Sequence, residues 1–192
     1  MGFTFEIVLP IHLSRRDSIF LEYLKNLGTK SRRDEIGETV PNTYTQFYLQ
    51  FVFAVQNRIS LIRNDWKDEL YKYITGIVQK NKHKLIAING IPNHIHIFIG
   101  YKPHQLIPDL LQDVKGSSSK WINTKKFTRG KFQWQESYGG FSYSHSHIDA
   151  VVKYIKNQEL HHRKKTFREE YCELLEKFHI SFDEKYILKE IN

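Results

Sequence analysis

Residues 43–55, TYTQFYLQFVFAV, alternate strictly: Thr45, Phe47, Leu49, Phe51, Phe53 and Val55 fall on one side, and Tyr44, Gln46, Tyr48 and Gln50 on the other. A period of two belongs to a strand with one face on a core, so this stretch predicts a half-buried β-strand. Downstream the period lengthens. Trp66, Leu70, Tyr73, Ile74, Ile77 and Val78 recur at helical spacing and predict a helix over 64–81, with Asn64 as its cap. Two short apolar runs, 84–89 and 94–100, separated by Gly90 and Pro92, read as a hairpin pair. A second helix is expected over 105–123, with Leu106, Leu110, Leu111, Val114 and Trp121 inward, and a loop rich in Lys, Gly and aromatics over 124–140. A short strand at 141–144 and helices at 148–162 and 167–178 complete the series. In the 148–162 helix Ile148, Val151, Val152 and Ile155 share one face. This order predicts an α+β ferredoxin-like sandwich, an antiparallel sheet with helices on one face and a further C-terminal helix.

The chain has 192 residues, 40% hydrophobic and 14% aromatic, enough for one compact domain and too aromatic for a disordered basic arm. Residues 1–40 hold six basic and six acidic side chains, so the formal charge of +8 lies entirely in 41–192. A localised basic excess suits a polyanionic partner such as nucleic acid, or serves solubility. Cys172 is the single cysteine, which excludes an intramolecular disulfide framework and a cysteine-based zinc site and fits a reducing, cytoplasmic compartment. No apolar run approaches the roughly 20 residues of a membrane span, and Glu6 and Pro10 break the apolar stretch 3–13, so no secretory leader is expected.

Residues 92–100, PNHIHIFIG, put His94 and His96 on one face of a strand and Ile95, Ile97 and Ile99 on the other. Two adjacent imidazoles form a natural pair of metal ligands, or an ordinary hydrogen-bonded pair. In the 148–162 helix Tyr154 and Gln158 are i and i+4 neighbours beside the apolar stripe, which places a hydroxyl and a third ligand on one flank. Asn157 and His161 are alternatives for that ligand. Cations interleaved with aromatics suit single-stranded nucleic acid, with phosphates on Lys and Arg and bases on rings. The segment 115–134 has this character, and Lys115, Ser117, Ser118, Lys120 and Lys125 are its first candidate contacts. Lys126, Arg129, Lys131 and Trp134 continue them, and the basic run 161–165 follows later.

His94-Ile95-His96 resembles the HUH motif (His, hydrophobic, His). Residues 152–158, VKYIKNQ, resemble the nucleophile helix of the single-tyrosine HUH transposases, the insertion-sequence 200/605 type and their REP-associated relatives. Residues 115–119 (KGSSS) and 134–142 (WQESYGGFS) are similar to further family segments, and the resemblance spans about 41–186. It implies an enzyme that cuts single-stranded DNA at hairpins flanking a mobile element and rejoins it without a nucleotide cofactor. Tyr154 would attack to leave a 5′-phosphotyrosine and a free 3′-hydroxyl, while His94, His96 and Gln158 would hold Mg²⁺ or Mn²⁺. The family commonly works as a homodimer, with the tyrosine helix of one subunit able to serve the other's metal site; REP-associated members can be monomeric. No dedicated base for the tyrosine is evident in the sequence. Coordination needs neutral imidazole, so activity is expected to fall below about pH 6.

The resemblance assigns 41–192 to the HUH transposase domain and leaves 1–40 as a weakly structured extension with a short helix over 19–27. Val40 stands directly before the first family-like residues and is a candidate translation start. Two rival readings follow from the same residues. One is a domesticated endonuclease acting on dispersed palindromes. The other is a ferredoxin-like nucleic-acid-binding module without catalysis, using an open sheet face bearing Tyr44, Tyr48, His94 and His96.

Overall fold

The computed structural model describes residues 44–183; the extension 1–40, the 19–27 helix and the candidate start at Val40 lie outside the described residues. The elements are β1 (Phe47–Ala54), α1 (Lys67–Lys80), β2 (Lys84–Ile91), β3 (His94–Tyr101), α2 (Ile107–Lys125), β4 (Gly139–Tyr143), α3 (Ile148–Lys156), the single turn α4 (Gln158–His161) and α5 (Phe167–Lys177). The four strands form one antiparallel sheet in the order β2-β3-β1-β4, the ferredoxin-like arrangement. No helix of the described residues is long and apolar enough to cross a membrane.

The odd-numbered residues of β1 and β3 build the main core. Phe51, Phe53, Ile95, Ile97 and Ile99 pack against Leu70, Ile74 and Val78 of α1 and Leu110, Leu111 and Val114 of α2. The other face is covered as well. Val52, Ala54 and Phe141 lie under Phe167, Leu174 and Leu175 of α5, and Ala87 and Phe98 lie under Val151 and Ile155 of α3. The expected half-buried strand is therefore buried on both faces from Gln50 onward, and the open face bearing His94 and His96 does not exist: both histidines are fully buried.

Two helix boundaries differ from those expected. Asn64 does not cap α1, whose entry is fixed by buried Trp66 stacked on Phe127, with the Lys67 amide donating to the Arg63 carbonyl at 3.0 Å. The helix expected over 148–162 is broken at Asn157 (φ −94°, ψ 18°). The Asn89 side chain donates to the Ile155 and Lys156 carbonyls at 3.0 and 2.9 Å, so β2 satisfies the last carbonyls of α3 and the chain can turn there.

Gly90 faces Ile95 across the β2–β3 hairpin, and a Cβ there would come within 2.7 Å of the Ile95 Cα as well as striking the His94 carbonyl oxygen. Neither backbone atom can yield without shifting the strand that carries both histidines. Gly90→Ala is expected to destabilise the protein by about 2 kcal/mol in urea unfolding. An unchanged midpoint would show that the strands part without cost.

Candidate active site

β3 aims His94 and His96 away from the isoleucine core, and their rings lie 5.1 Å apart. The register Val52↔His96 and Ala54↔His94 places small β1 residues beside them, which leaves room above the sheet. α3 enters that space. Its Val151 and Ile155 pin it to Phe98 and Ala87, and this sets the half-buried Tyr154 ring edge-on to His96, with centroids 5.7 Å apart.

The break at Asn157 then turns Gln158, His161 and His162 back toward the sheet. Gln158 is fully buried. Its Nε2 donates to Glu170 Oε1 at 2.8 Å and its Oε1 lies 3.1 Å from His162 Nε2.

Glu170 arrives from α5. That helix starts with a capping box between Thr166 and Glu169, and its inner stripe is Phe167, Glu170, Leu174 and Leu175. Phe167 stacks on His94 at 4.0 Å. Glu170, only 2% exposed, puts Oε2 3.4, 3.3 and 3.0 Å from the Nε2 atoms of His94, His96 and His162. Its Oε1 accepts the Tyr154 hydroxyl and lies 3.5 Å from His161 Nε2. His94, His96, His162 and Glu170 bring four ligand atoms within 4.8 Å of one another, a set able to hold a divalent ion. The buried Nε2 of His96 has no hydrogen-bond partner, an orphan that such an ion would satisfy.

Burial pushes the His94 imidazole down to about 4, which keeps it neutral and able to ligate. Burial opposes ionisation of Glu170, yet the surrounding His162, His94 and His96 hold its carboxyl well below the usual carboxylate range. Burial, and then the Glu170 charge, push the Tyr154 phenol far above its ordinary value, so it carries its proton at neutral pH.

Of the residues singled out from the sequence, His94, His96, Tyr154 and Gln158 meet in this site within one chain. Glu170 and His162 were not identified. A carboxylate at the centre of an apolar stripe is the signal that marks Glu170, since unpaired buried charge is costly. His162 belonged to a run read only as basic. The nucleic-acid candidates lie elsewhere, on α2 and the segment after it, which pack on the opposite, isoleucine face of the sheet. Lys120, Lys125, Lys126, Arg129 and Lys131 are exposed there, and Ser117 is half-buried. Ser118 and Trp134 are buried, with Trp134 Nε1 donating to Ser118 Oγ at 2.9 Å, so this pair tethers the loop to α2. Lys115 donates to the Glu136 and Ser137 carbonyls at 2.7 and 3.3 Å, in the same tethering role.

The chain is similar to known proteins. The ISDra2 transposase TnpA of Deinococcus radiodurans is 25% identical over 118 residues, which cover 59% of this chain and 84% of that protein. The crystal structure of a candidate transposase from Deinococcus radiodurans R1 superposes with a TM-score of 0.50 at 22% identity, over 64% of this chain and 98% of its own. A REP-associated tyrosine transposase bound to a REP hairpin superposes with a TM-score of 0.50 at 12% identity, over 81% of this chain and 94% of its own. The two structures show a shared fold. The family model for IS200-like transposases matches residues 43–158, a segment that opens just before β1, runs through both histidines of β3 and Tyr154, and ends on Gln158. That match takes in more than half of the sequence, and on it the chain belongs to the IS200-like transposase family.

Proposed function

We propose that this protein cleaves and rejoins single-stranded DNA at hairpin-flanked element ends, with the Tyr154 hydroxyl as nucleophile. One observation carries the reading: the Tyr154 hydroxyl and three imidazoles converge on a single buried carboxylate, Glu170. A nucleophile and a cation site thus share one anchor. Tyr154 Oη attacks the scissile phosphorus in line, the bond to the 3′ oxygen breaks, and a 5′-phosphotyrosine and a 3′-hydroxyl result. The phenolic hydrogen is already directed at Glu170 Oε1, so its path away from Oη starts there. The leaving 3′ oxygen takes up one proton, and the covalent bond keeps the phosphodiester energy for rejoining. His94, His96, His162, Glu170 and Gln158 would hold a divalent cation, and when bound it would supply polarisation of the scissile phosphate.

Exposed Lys153, Lys156, Arg163 and Lys164 border this site and suit the phosphates next to the cut. The exposed cations of 120–131 would grip the strand remote from it. The homodimer implied by the family resemblance is not needed to complete the site, because nucleophile and histidines belong to one chain; a cytoplasmic setting accords with the single cysteine. A second reading, an endonuclease acting on dispersed palindromes, is favoured by the extent of the likeness to the hairpin-bound REP-associated transposase, 81% of this chain.

Denaturing gels with oligonucleotides tiled across both flanks of the gene test the proposal. The wild-type protein with Mn²⁺ is expected to give a covalent adduct, and the same mixture with EDTA none. Tight hairpin binding without any adduct, after longer flanks, would favour a binding module. Adducts at palindromes scattered outside the flanks would favour the second reading.

A further inference from the structure

On one side of β1 the alternation runs Gln46, Tyr48, Gln50. Gln46 is exposed and Tyr48 half-buried, but Gln50 is fully buried. Its register partners are both aromatic, Phe98 on β3 and Phe141 on β4. An amide in such surroundings is tolerated only if its polar atoms find partners. The side chain reaches diagonally past Phe98 to His96, whose direct partner on β1 is Val52. Gln50 Nε2 lies 2.9 Å from His96 Nδ1, and Gln50 Oε1 accepts from the Tyr143 hydroxyl at 2.8 Å.

The hydrogens along this chain of groups are linked. An amide nitrogen only donates, so with Nε2 on His96 the ring accepts at Nδ1 and, being neutral, carries its proton on Nε2. That proton points into the buried site, where Glu170 Oε2 is 3.3 Å away and His96 Nε2 makes no hydrogen bond. A half-turn of the amide reverses the links. Oε1 then accepts from His96 Nδ1, Nε2 donates to the Tyr143 oxygen, and the lone pair of His96 moves to Nε2. Tyr143 serves either orientation, because a hydroxyl both donates and accepts. Burial pushes its phenol up to about 12, so it keeps its proton at neutral pH. The amide thus has two arrangements, and the tautomer of His96 follows it.

His94 has a simpler holder, the Oδ1 of its chain neighbour Asn93 at 2.8 Å from Nδ1. Gln50 reaches His96 from 46 positions away, which ties the ring's orientation to the pairing of β1 with β3.

We propose that Gln50, backed by Tyr143, is the positioning residue for His96: its Oε1 accepts from His96 Nδ1 when a divalent ion occupies the site, which turns the Nε2 lone pair toward the ion, and its amide reverses when the ion leaves. This rests on the reading that His96 holds a divalent ion. In metalloproteins such an outer partner fixes the ring and raises its basicity, and losing it costs about 10- to 100-fold in metal affinity.

The full-length protein, freed of metal with EDTA and dialysed, is titrated calorimetrically with MnCl₂. Gln50→Met keeps the length of the side chain and removes both polar atoms, and is expected to weaken Mn²⁺ binding by at least about 10-fold. Gln50→Glu keeps an accepting oxygen and should bind within about 3-fold of wild type or more tightly, and Tyr143→Phe, one link further out, should lose less than about 5-fold. NMR of the imidazole nitrogens in the wild-type protein reads the proton directly. His96 is expected to carry it on Nε2 in EDTA and on Nδ1 with diamagnetic ZnCl₂. One tautomer in both conditions overturns the proposal, and this measurement needs no variant, so it holds even where Gln50→Met fails to fold. Wild-type Mn²⁺ affinity in Gln50→Met, or equal losses in Gln50→Met and Gln50→Glu, also overturns it, because affinity would then not follow the accepting atom; the reading of the site survives, since wild type binds. Failure of wild type itself to bind Mn²⁺ overturns that reading and the proposal with it.

Discussion

Tyr154→Phe is expected to abolish the covalent adduct and to cut strand cleavage by at least about 10⁴-fold, while hairpin affinity stays within about threefold of wild type. The substitution removes one atom. The ring keeps its edge-on contacts with His96 at 5.7 Å and His161 at 5.5 Å, so the packing that seats α3 on the sheet is preserved. Glu170 loses the hydrogen bond from the hydroxyl but retains Gln158 Nε2 and three imidazoles around its other oxygen. The folded state should therefore lose no more than about 1.5 kcal/mol, and the variant remains a fair test of chemistry. The phosphate contacts proposed for the exposed Lys153, Lys156, Arg163 and Lys164 do not involve the hydroxyl, so binding is expected to survive.

The alternatives predict different gels. A binding module never cleaves, so wild type and variant would be indistinguishable. A metal-dependent hydrolase using water would cleave with Tyr154→Phe and form no adduct with either protein. Cleavage by the variant together with a wild-type adduct would move the nucleophile to another tyrosine, and Tyr143, whose hydroxyl donates to Gln50 beneath His96, would be the first to examine.

The strand and helix order was legible because each element buries a simple periodic stripe: β1 by twos, and α1 and α2 by threes and fours. His94 and His96 were legible for the same reason, since a period of two puts both opposite Ile95 and Ile97. What escaped was non-local. A uniform 100° per residue carried along 148–162 keeps Gln158 one turn below Tyr154, but Asn89, from another strand, takes the last carbonyls of α3 and redirects the chain at Asn157. His162 reaches the site only through that turn. Glu170 lies 74 residues beyond His96 in a helix whose pairing with the sheet no local pattern encodes, although its place in the stripe of Phe167 and Leu174 marked it as unusual. In the basic segment 115–134 residue type alone did not separate buried from exposed positions: Ser118 joins Val114 and Ile122 in the buried stripe of α2, while Lys120, Lys125, Lys126, Arg129 and Lys131 stay exposed.

The metal-free protein should lose about 2.5 kcal/mol of stability between pH 7.5 and 4.5 through His94 alone. Its imidazole takes a proton near 6.5 in the unfolded chain and, because burial disfavours the charged ring, only near 4 in the folded one. Between those values the unfolded state binds more protons, so acidification favours it; the contribution is whole above pH 6.5 and gone below 4. Glu170, held below the usual carboxylate range, acts in the same direction once pH falls past its unfolded value. His162 acts against both. Burial opposes its charge, but the Glu170 carboxylate holds the ring above its ordinary value, so its protonation favours the folded state. Urea unfolding in EDTA at a series of pH values separates these terms when wild type is compared with His94→Gln. The variant's profile should be shallower by about 2.5 kcal/mol across that interval, and parallel profiles would mean that His94 is protonated equally easily in both states. The same burial changes the acid limit on coordination. A free imidazole would surrender a metal below about pH 6, whereas His94 stays neutral well below that; His162, held above its ordinary value by Glu170, takes up its proton first, so it and not His94 sets the acid limit on coordination.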